Sequence, residues 1–571
     1  MIVRSGKAWP FVSTVAVTLG LTAAVWVLRV TPADAQPPGG PGGASGRGAS
    51  PAFVRPRTPV ADWATFAHDV QRTGWAFEET RISPDTISQM KLVWKKKLDS
   101  DPFSIYNLVP PIVVSGISTS MGTRTVVYTV GVTGTVFALD VETGDVLWSR
   151  KLVARVTPVN GGFQGGMLCP NGPTGSPVAD KTSNNLYVVG PNGQMYGLDL
   201  GSGEIRYGPL QFVPPFSKVT HLLMVNGVIY TTLSQGCGEA ASGFYSIDVR
   251  DSHHAIVHQG ITANGNQGGI WGHGAAIGPN GRIFGGTADG EFDPQNGAYS
   301  NAIVAASLDT LSLVDYNLPV NWRYIRAKDF DLGSAAPVVF GWKNYTLVAH
   351  AAKEGVIYLM DANNLGGADH QTPLYVSPRL GNDEAACCSG LGVWGGLSMT
   401  RDNEGNTYIL APMGGPPAKE GPKFAQTNGP AAHGSVMAFR VVADPKTGAP
   451  TLQPEWISED FDMPEAIVTA NGVVLALSTG SNETQRGGDQ VRMSTAHPAV
   501  LRALDLRNGK ELWNSGTAFE SWMHFSGLAV SNGSVFAVDH AGNVYQFGGL
   551  PIPVGRGGGR GASGGRGRGP A

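Results

Sequence analysis

Charge is scarce in this chain: of 571 residues only 15% are Asp, Glu, Lys or Arg, and the formal net charge is −3. Nucleic-acid binding needs a clustered basic face, so this composition disfavours a nucleic-acid partner. Cysteine is scarcer still, at four. None of the four stands in a Cys-x-x-Cys-His arrangement, so no covalent c-type haem domain is fused here. A phosphate-cradling Gly loop with Lys-Ser/Thr, a His-Glu-x-x-His zinc-protease motif and a nucleophile elbow are missing too, which leaves nucleotide and hydrolase readings without support. Long amphipathic helical patterns do not separate the strand-like runs, and a βαβ fold is disfavoured accordingly. What is abundant is Gly (79), Pro (39) and bulky aromatics, including 13 Trp and 15 Tyr. The first two imply many turns, the last a large core. A chain of this length is either several domains or one large repeat array.

The two ends differ from the body. Arg4 and Lys7 precede an apolar run from about Trp9 to Leu28, and Ala33-Asp34-Ala35 follows. These are the three regions of a secretory signal peptide, predicted over residues 1–35 with cleavage after Ala35. The apolar run is long enough that an uncleaved N-terminal membrane anchor is the alternative. Residues 36–59 are a Pro/Gly-rich linker and residues 550–571 a Gly/Arg-rich tail, both predicted to be flexible. The expected location is therefore periplasmic or secreted.

Between the ends, over residues 60–549, one unit recurs. It has a β-rich apolar run, a Gly-containing turn, a second run often ending in Asp, a polar turn and an aromatic strand. Val127-Tyr128-Thr129-Val130 with Val136-Phe137-Ala138-Leu139-Asp140 and Val146-Leu147-Trp148 is the clearest copy. Seven more pairs follow, at 186–189 with 196–199, 228–230 with 244–248, 283–285 with 304–309, 347–349 with 356–361, 407–409 with 436–439, 474–476 with 501–505, and 535–537 with 544–547. The spacing fits blades of four antiparallel strands, and the predicted fold is all-β, an eight-bladed β-propeller. A closed ring leaves few sheet edges open. The opening segment, Asp62-Trp63 through Val93-Trp94, is expected beside the final blade.

Ala138-Leu139-Asp140-Val141-Glu142-Thr143-Gly144-Asp145-Val146-Leu147-Trp148, repeated as Ala503-Leu504-Asp505-Leu506-Arg507-Asn508-Gly509-Lys510-Glu511-Leu512-Trp513, resembles the tryptophan-docking motif of the pyrroloquinoline quinone (PQQ) quinoprotein alcohol dehydrogenases. Asp62-Trp63, His68-Asp69, Arg72-Thr73-Gly74 and Leu92-Val93-Trp94 resemble that family's opening segment. The resemblance implies oxidation of a small alcohol or polyol with PQQ and Ca²⁺ or a lanthanide, and, with no haem domain fused, a separate electron acceptor. It places Trp271 at the position that stacks on the quinone and Lys353, in Ala352-Lys353-Glu354-Gly355, at the one that bonds its oxygens. Asp331, in the family-like stretch Asp329-Phe330-Asp331-Leu332-Gly333-Ser334, joins them as a cofactor-binding candidate, with a plain ion pair to Lys353 as its simpler reading. Glu239 and Asp289 fall at the metal positions. The catalytic Asp position falls on Asn296 or Asn301 according to register, and Asn cannot act as a general base; Asp293 or Asp289 is then the candidate substitute.

Each residue also has a plainer reading. Trp271 would be core, and Glu239 and Asp289 would be loop carboxylates capping turns. Cys169 and Cys237 lie in loops of neighbouring units and could staple two blades, and Cys387-Cys388 could close an adjacent-residue disulfide at the rim. A cofactor-free propeller acting as an envelope scaffold or protein-binding platform, with envelope protein partners, is the second functional reading. Convergence of Trp271, Lys353 and the carboxylates on one cavity separates the two.

Overall fold

The recurring apolar pairs become the middle strands of eight antiparallel sheets. The computed structural model describes residues 62–153, 165–250, 256–261, 268–383, 390–481 and 488–551. The predicted leader, the linker, residues 552–571 of the tail and Cys387-Cys388 lie outside the described residues. Blades one to five occupy residues 112–151, 178–211, 223–260, 276–317 and 338–376, and blade seven residues 464–514. Blade six, at 392–457, departs from the four-stranded plan, with a short edge pairing at Gly392–Val393 and a parallel addition at Gln426–Thr427. Blade eight takes three strands from the C-terminal end, and its fourth is Lys91–Lys97, antiparallel to Asn543–Gly548. A two-stranded ribbon, Phe292–Asp293 with Ala298–Tyr299, is inserted between the second and third strands of blade four, with Phe292 and Tyr299 packed on its core. Among the described residues no helix is long and apolar enough to cross a membrane.

The core lies between blades. Asn185–Val189 is buried at every position, and one cluster joins Val126, Tyr128 and Ala138 of blade one to Leu186, Val188 and Leu198 of blade two. A strand covered on both faces reads as a continuous apolar run, which explains why alternation is weak in the sequence.

Tryptophans clamp three of the blade junctions. Trp94 donates to the Val141 carbonyl (2.9 Å), Trp148 to Leu200 (3.1 Å) and Trp456 to Leu506 (2.7 Å). Each indole lies on a turn glycine, Gly144, Gly203 or Gly509. At Gly203 φ is +70°, and a Cβ would sit 2.5 Å from the Trp148 ring. Gly203→Ala is therefore expected to cost about 1–3 kcal/mol by urea unfolding, through left-handed strain and displacement of the indole.

The opening segment does not simply lie beside the final blade. Only Lys91–Lys97 does so, and residues 63–76 circle the hub instead, bonding seven blades in turn. Trp63 exchanges backbone hydrogen bonds with Val113, the Ala64 carbonyl accepts from Ala179, and Thr65 donates to Leu222. Carbonyls of Val70, Gln71, Thr73 and Gly74 then accept from Ile277, Val339, Met399 and Thr469. Arg72, 2% exposed, donates to the carbonyls of Phe66, His221 and Ala275 and to the Thr65 hydroxyl.

His68 anchors this segment through Glu78 (3.2 Å) and Asp69 (3.6 Å). Burial works against its charge, but its interactions with the two carboxylates outweigh burial and raise the pKa to about 9. A raised histidine contributes stability fully below its unfolded value near 6.5 and loses it as pH climbs through 9. His68 should accordingly contribute a fall of about 1–3 kcal/mol in the unfolding free energy between pH 6.5 and 9.5, a contribution that His68→Gln removes and that the difference between the two proteins' unfolding curves measures.

Candidate functional site

The segments that lead into the innermost strands carry the buried polar groups. Trp271 precedes blade four, and its indole N–H donates to Asp331 Oδ1 at 2.8 Å. The same oxygen accepts the Gly333 N–H (3.2 Å), which caps the short turn Leu332–Ser334. Gly333 packs on the Trp271 edge so closely that a Cβ would lie 2.7 Å from the ring. Lys353, 1% exposed, places Nζ 2.5 Å from Asp331 Oδ2 and 3.2 Å from Asp329 Oδ1. Burial opposes its charge, yet Asp331 and Asp329 outweigh burial and raise its pKa. The ammonium stands 5.5 Å from the Trp271 centroid and 5.7 Å from that of Trp394. Trp271, Lys353 and Asp331 are thus brought together, with Asp329 added.

A second cation faces the same indole. Lys218, 4% exposed and just ahead of blade three, holds Nζ 5.3 Å from Trp271, 5.6 Å from Phe525 and 5.8 Å from Tyr106. Among the described residues it makes no hydrogen bond or ion pair. Burial lowers its pKa to about 7, with Asp331 acting in the other direction. Arg492 follows from blade seven, 6.0 Å from Trp394, and it hydrogen-bonds His524 (2.8 Å). His524 in turn pairs with the fully buried Glu465 at 2.8 Å. Residues from five blade junctions therefore enclose one central cavity. Its free space admits about one water, because Phe525 stands edge-on to Trp271 with centroids 5.7 Å apart. Phe525 has φ +48°, a left-handed backbone costly for a non-glycine residue. Behind the cavity Phe66 stacks on His221 (3.8 Å) and His273 (4.9 Å), whose rings bond each other at 3.2 Å.

The remaining expected site residues are divided. Asp289 is near the Lys353 cluster, where burial, then repulsion from Asp331 and Asp329, pushes its pKa up to about 8. Its Oδ1 has no hydrogen-bond partner, and neither have Ser300 Oγ and Asn301 Oδ1. Asn301 is fully buried beside it, donating through its backbone N–H to the Ala288 carbonyl (3.1 Å). Asp293 and Asn296 bond each other (2.6 Å) at the turn of the ribbon, and neither makes a hydrogen bond or ion pair to Trp271 or Lys353. Glu239 is exposed, at φ +62°, in the turn that starts at Cys237. No group of three His, Cys, Asp or Glu among the described residues could hold a metal ion. Cys169 and Cys237 do pair, with S–S 2.06 Å, tethering the loop whose Met167 and Leu168 roof the cavity.

Asp329, Lys218, Trp394, Phe525, His524, Glu465 and Arg492 escaped the sequence reading as site residues. One signal could have found two of them: Lys218 and Phe525 stand, like Trp271, a few residues ahead of the first strand of a blade.

Residues 88–207 match the profile of a family described as the outer membrane protein assembly factor BamB. No curated protein matches the chain in sequence. In fold it is similar to a quinohemoprotein alcohol dehydrogenase from Comamonas testosteroni, with TM-score 0.54, 15% identity and coverage of 86% of this chain and 82% of that one. Quinohemoprotein alcohol dehydrogenase ADHIIG from Pseudomonas putida HK5 gives 0.53 and 14%, over 86% and 81%. A europium-containing methanol dehydrogenase gives 0.56 and 12%, over 86% and 98%. The chain therefore has the eight-bladed propeller that its repeats predict, a fold similar to that of these dehydrogenases. At these identities the likeness is one of fold.

Proposed function

We propose that the protein is an exported quinoprotein-like oxidoreductase that binds PQQ in the central cavity and oxidises a small alcohol or polyol, passing electrons to a separate acceptor. One observation carries this reading: the buried cations Lys353, Lys218 and Arg492 converge on the Trp271–Trp394 pair, and Lys218 has no hydrogen-bond partner there. A buried cation without a partner is costly unless something anionic completes it. PQQ, a planar tricarboxylate, fits that charge and the indole surface once Phe525 moves aside. When bound, it supplies a two-electron acceptor for the substrate C–H.

The chain's own residues then have distinct tasks. Trp271 offers a stacking face whose tilt Asp331 fixes through the indole N–H. Lys353, oriented by Asp331 and Asp329, holds a proton-rich donor toward a quinone oxygen. Lys218 and Arg492 neutralise carboxylates. Asp289, near the Lys353 cluster and with Oδ1 unpaired, is the candidate acceptor for the alcohol proton in place of Asp293. The described residues do not fit the Ca²⁺ or lanthanide expected on Glu239 and Asp289, since Glu239 is exposed and no three-donor set forms.

The second reading, an envelope scaffold, is favoured by the packing of Phe525 into the cavity. An assay separates the two. Full-length protein supplied with PQQ should oxidise a primary alcohol or glycerol with an artificial acceptor dye, about 100-fold slower in Trp271→Ala. Equal, background-level dye reduction by both proteins would favour the scaffold.

A further inference from the structure

Lys353 and Glu354 are chain neighbours that serve different places. Lys353 belongs to the central cluster, whereas Glu354 lies in the wall of a separate pocket of about 390 Å³ between blades four and five. That volume is within the range of small-molecule sites, roughly 300–1,000 Å³. The wall is built, not incidental. Glu354, 1% exposed, accepts from the Asn321 amide (2.6 Å) and the Tyr358 hydroxyl (2.6 Å), with Arg379 at 4.0 Å. Asn317, the last residue of the strand Leu313–Asn317, is 0% exposed and lines the same pocket. Neither its amide oxygen nor its amide nitrogen has a hydrogen-bond partner. Buried polar atoms are nearly always paired, and an orphan amide in the wall of a cavity points to a missing partner.

We propose that this cleft binds a small neutral polyhydroxylated molecule, a monosaccharide or polyol. Charge argues for neutrality, because the Glu354 carboxylate is offset by Arg379 and no surplus of either sign is left. Hydrogen-bonding type argues for hydroxyls. Asn317 offers a donor and an acceptor side by side, and a hydroxyl group both donates and accepts. Val320, 77% exposed, and Val376, 46% exposed, give the pocket apolar edges against which the C–H face of a sugar ring can lie. The site is distinct from the central cavity, with which it shares no lining residue.

The test is calorimetric titration of the full chain with D-glucose and with sorbitol, up to about 50 mM. Saturable heat at millimolar or lower concentration is expected from at least one. Asn317→Leu, which fills the same space without an amide, should weaken it about tenfold or more. Val376→Arg, at an exposed position on the pocket edge, should block binding while leaving the fold intact by circular dichroism. Trp271→Ala should bind as the parent does. No saturable heat from either compound would overturn the proposal. So would parent-like affinity in both cleft variants, loss of binding in Trp271→Ala, or tighter binding of gluconate than of glucose.

Discussion

Lys353→Met should lower the unfolding free energy by about 3–5 kcal/mol, the range for breaking a buried ion pair by removing one partner. Nζ lies between Asp331, 2% exposed, and Asp329. A methionine of similar length fills the space but leaves the Asp331 carboxylate buried without its counter-charge. The pH dependence gives the loss a signature. Carboxyls deprived of the lysine have folded pKa values above the unfolded value near 4, so in the variant stability is fullest in acid and falls as pH rises. The deficit relative to the parent should therefore shrink as pH is lowered toward 4. A double variant, Lys353→Met with Asp331→Leu, should recover part of the loss, because it removes both charges rather than one. Urea unfolding at pH 4 and pH 7 measures all three quantities. A deficit below 1 kcal/mol at pH 7 would mean that water reaches the cluster and that the pair is not buried in solution.

Lys218→Met should act in opposite directions on stability and binding. The ammonium is buried against three rings with no hydrogen-bond partner among the described residues, so its removal relieves a penalty of about 1–3 kcal/mol. Its pKa is lowered to about 7 by burial. Unfolded chains keep that proton up to about pH 10, so discharge of the native lysine adds stability between pH 7 and 10 and opposes the fall that His68 imposes; the variant lacks this contribution, and its stability should drop more steeply than the parent's over that range. Binding should move the other way. If Lys218 meets a cofactor carboxylate, the variant loses a charge-assisted contact in a dry site and should bind PQQ about 100-fold more weakly, some 2.7 kcal/mol. A protein that becomes more stable as it loses its ligand has its ligand site at that residue. Stabilisation without any change in PQQ affinity would place Lys218 outside the site.

Much of the fold is legible in the residues because strands buried on both faces leave runs such as Leu186–Val189 with little else to be. The Thr-Gly turns with a following Trp also declare themselves, since the indole of one blade needs the bare glycine of the next. The circuit of residues 63–76 around the hub was not legible. Its hydrogen bonds go to seven blades spread over about four hundred residues, and no local periodicity records partners that distant. At the site, Trp271, Lys353 and Asp331 could be named together because a resemblance carried them. Lys218 hides in Pro214-Pro215-Phe216-Ser217-Lys218, which reads as an ordinary turn. Asp293 is attractive for its nearness in sequence to Asp289, but an Asp followed three residues later by Asn closes a local turn, and here it does so on the ribbon of blade four. Phe525 could not be foreseen as the occupant of the cavity, because its place depends on a left-handed backbone at a non-glycine position.

The central claim is that the cavity against Trp271 is a quinone site, and titration with PQQ followed by tryptophan fluorescence tests it most directly. The account predicts saturable quenching with a Kd below about 40 μM, −6 kcal/mol or better, abolished in Trp271→Ala and weakened in Lys218→Met while both variants remain folded. Linear, non-saturating quenching in the parent, or identical titrations of the parent and Trp271→Ala, would contradict it.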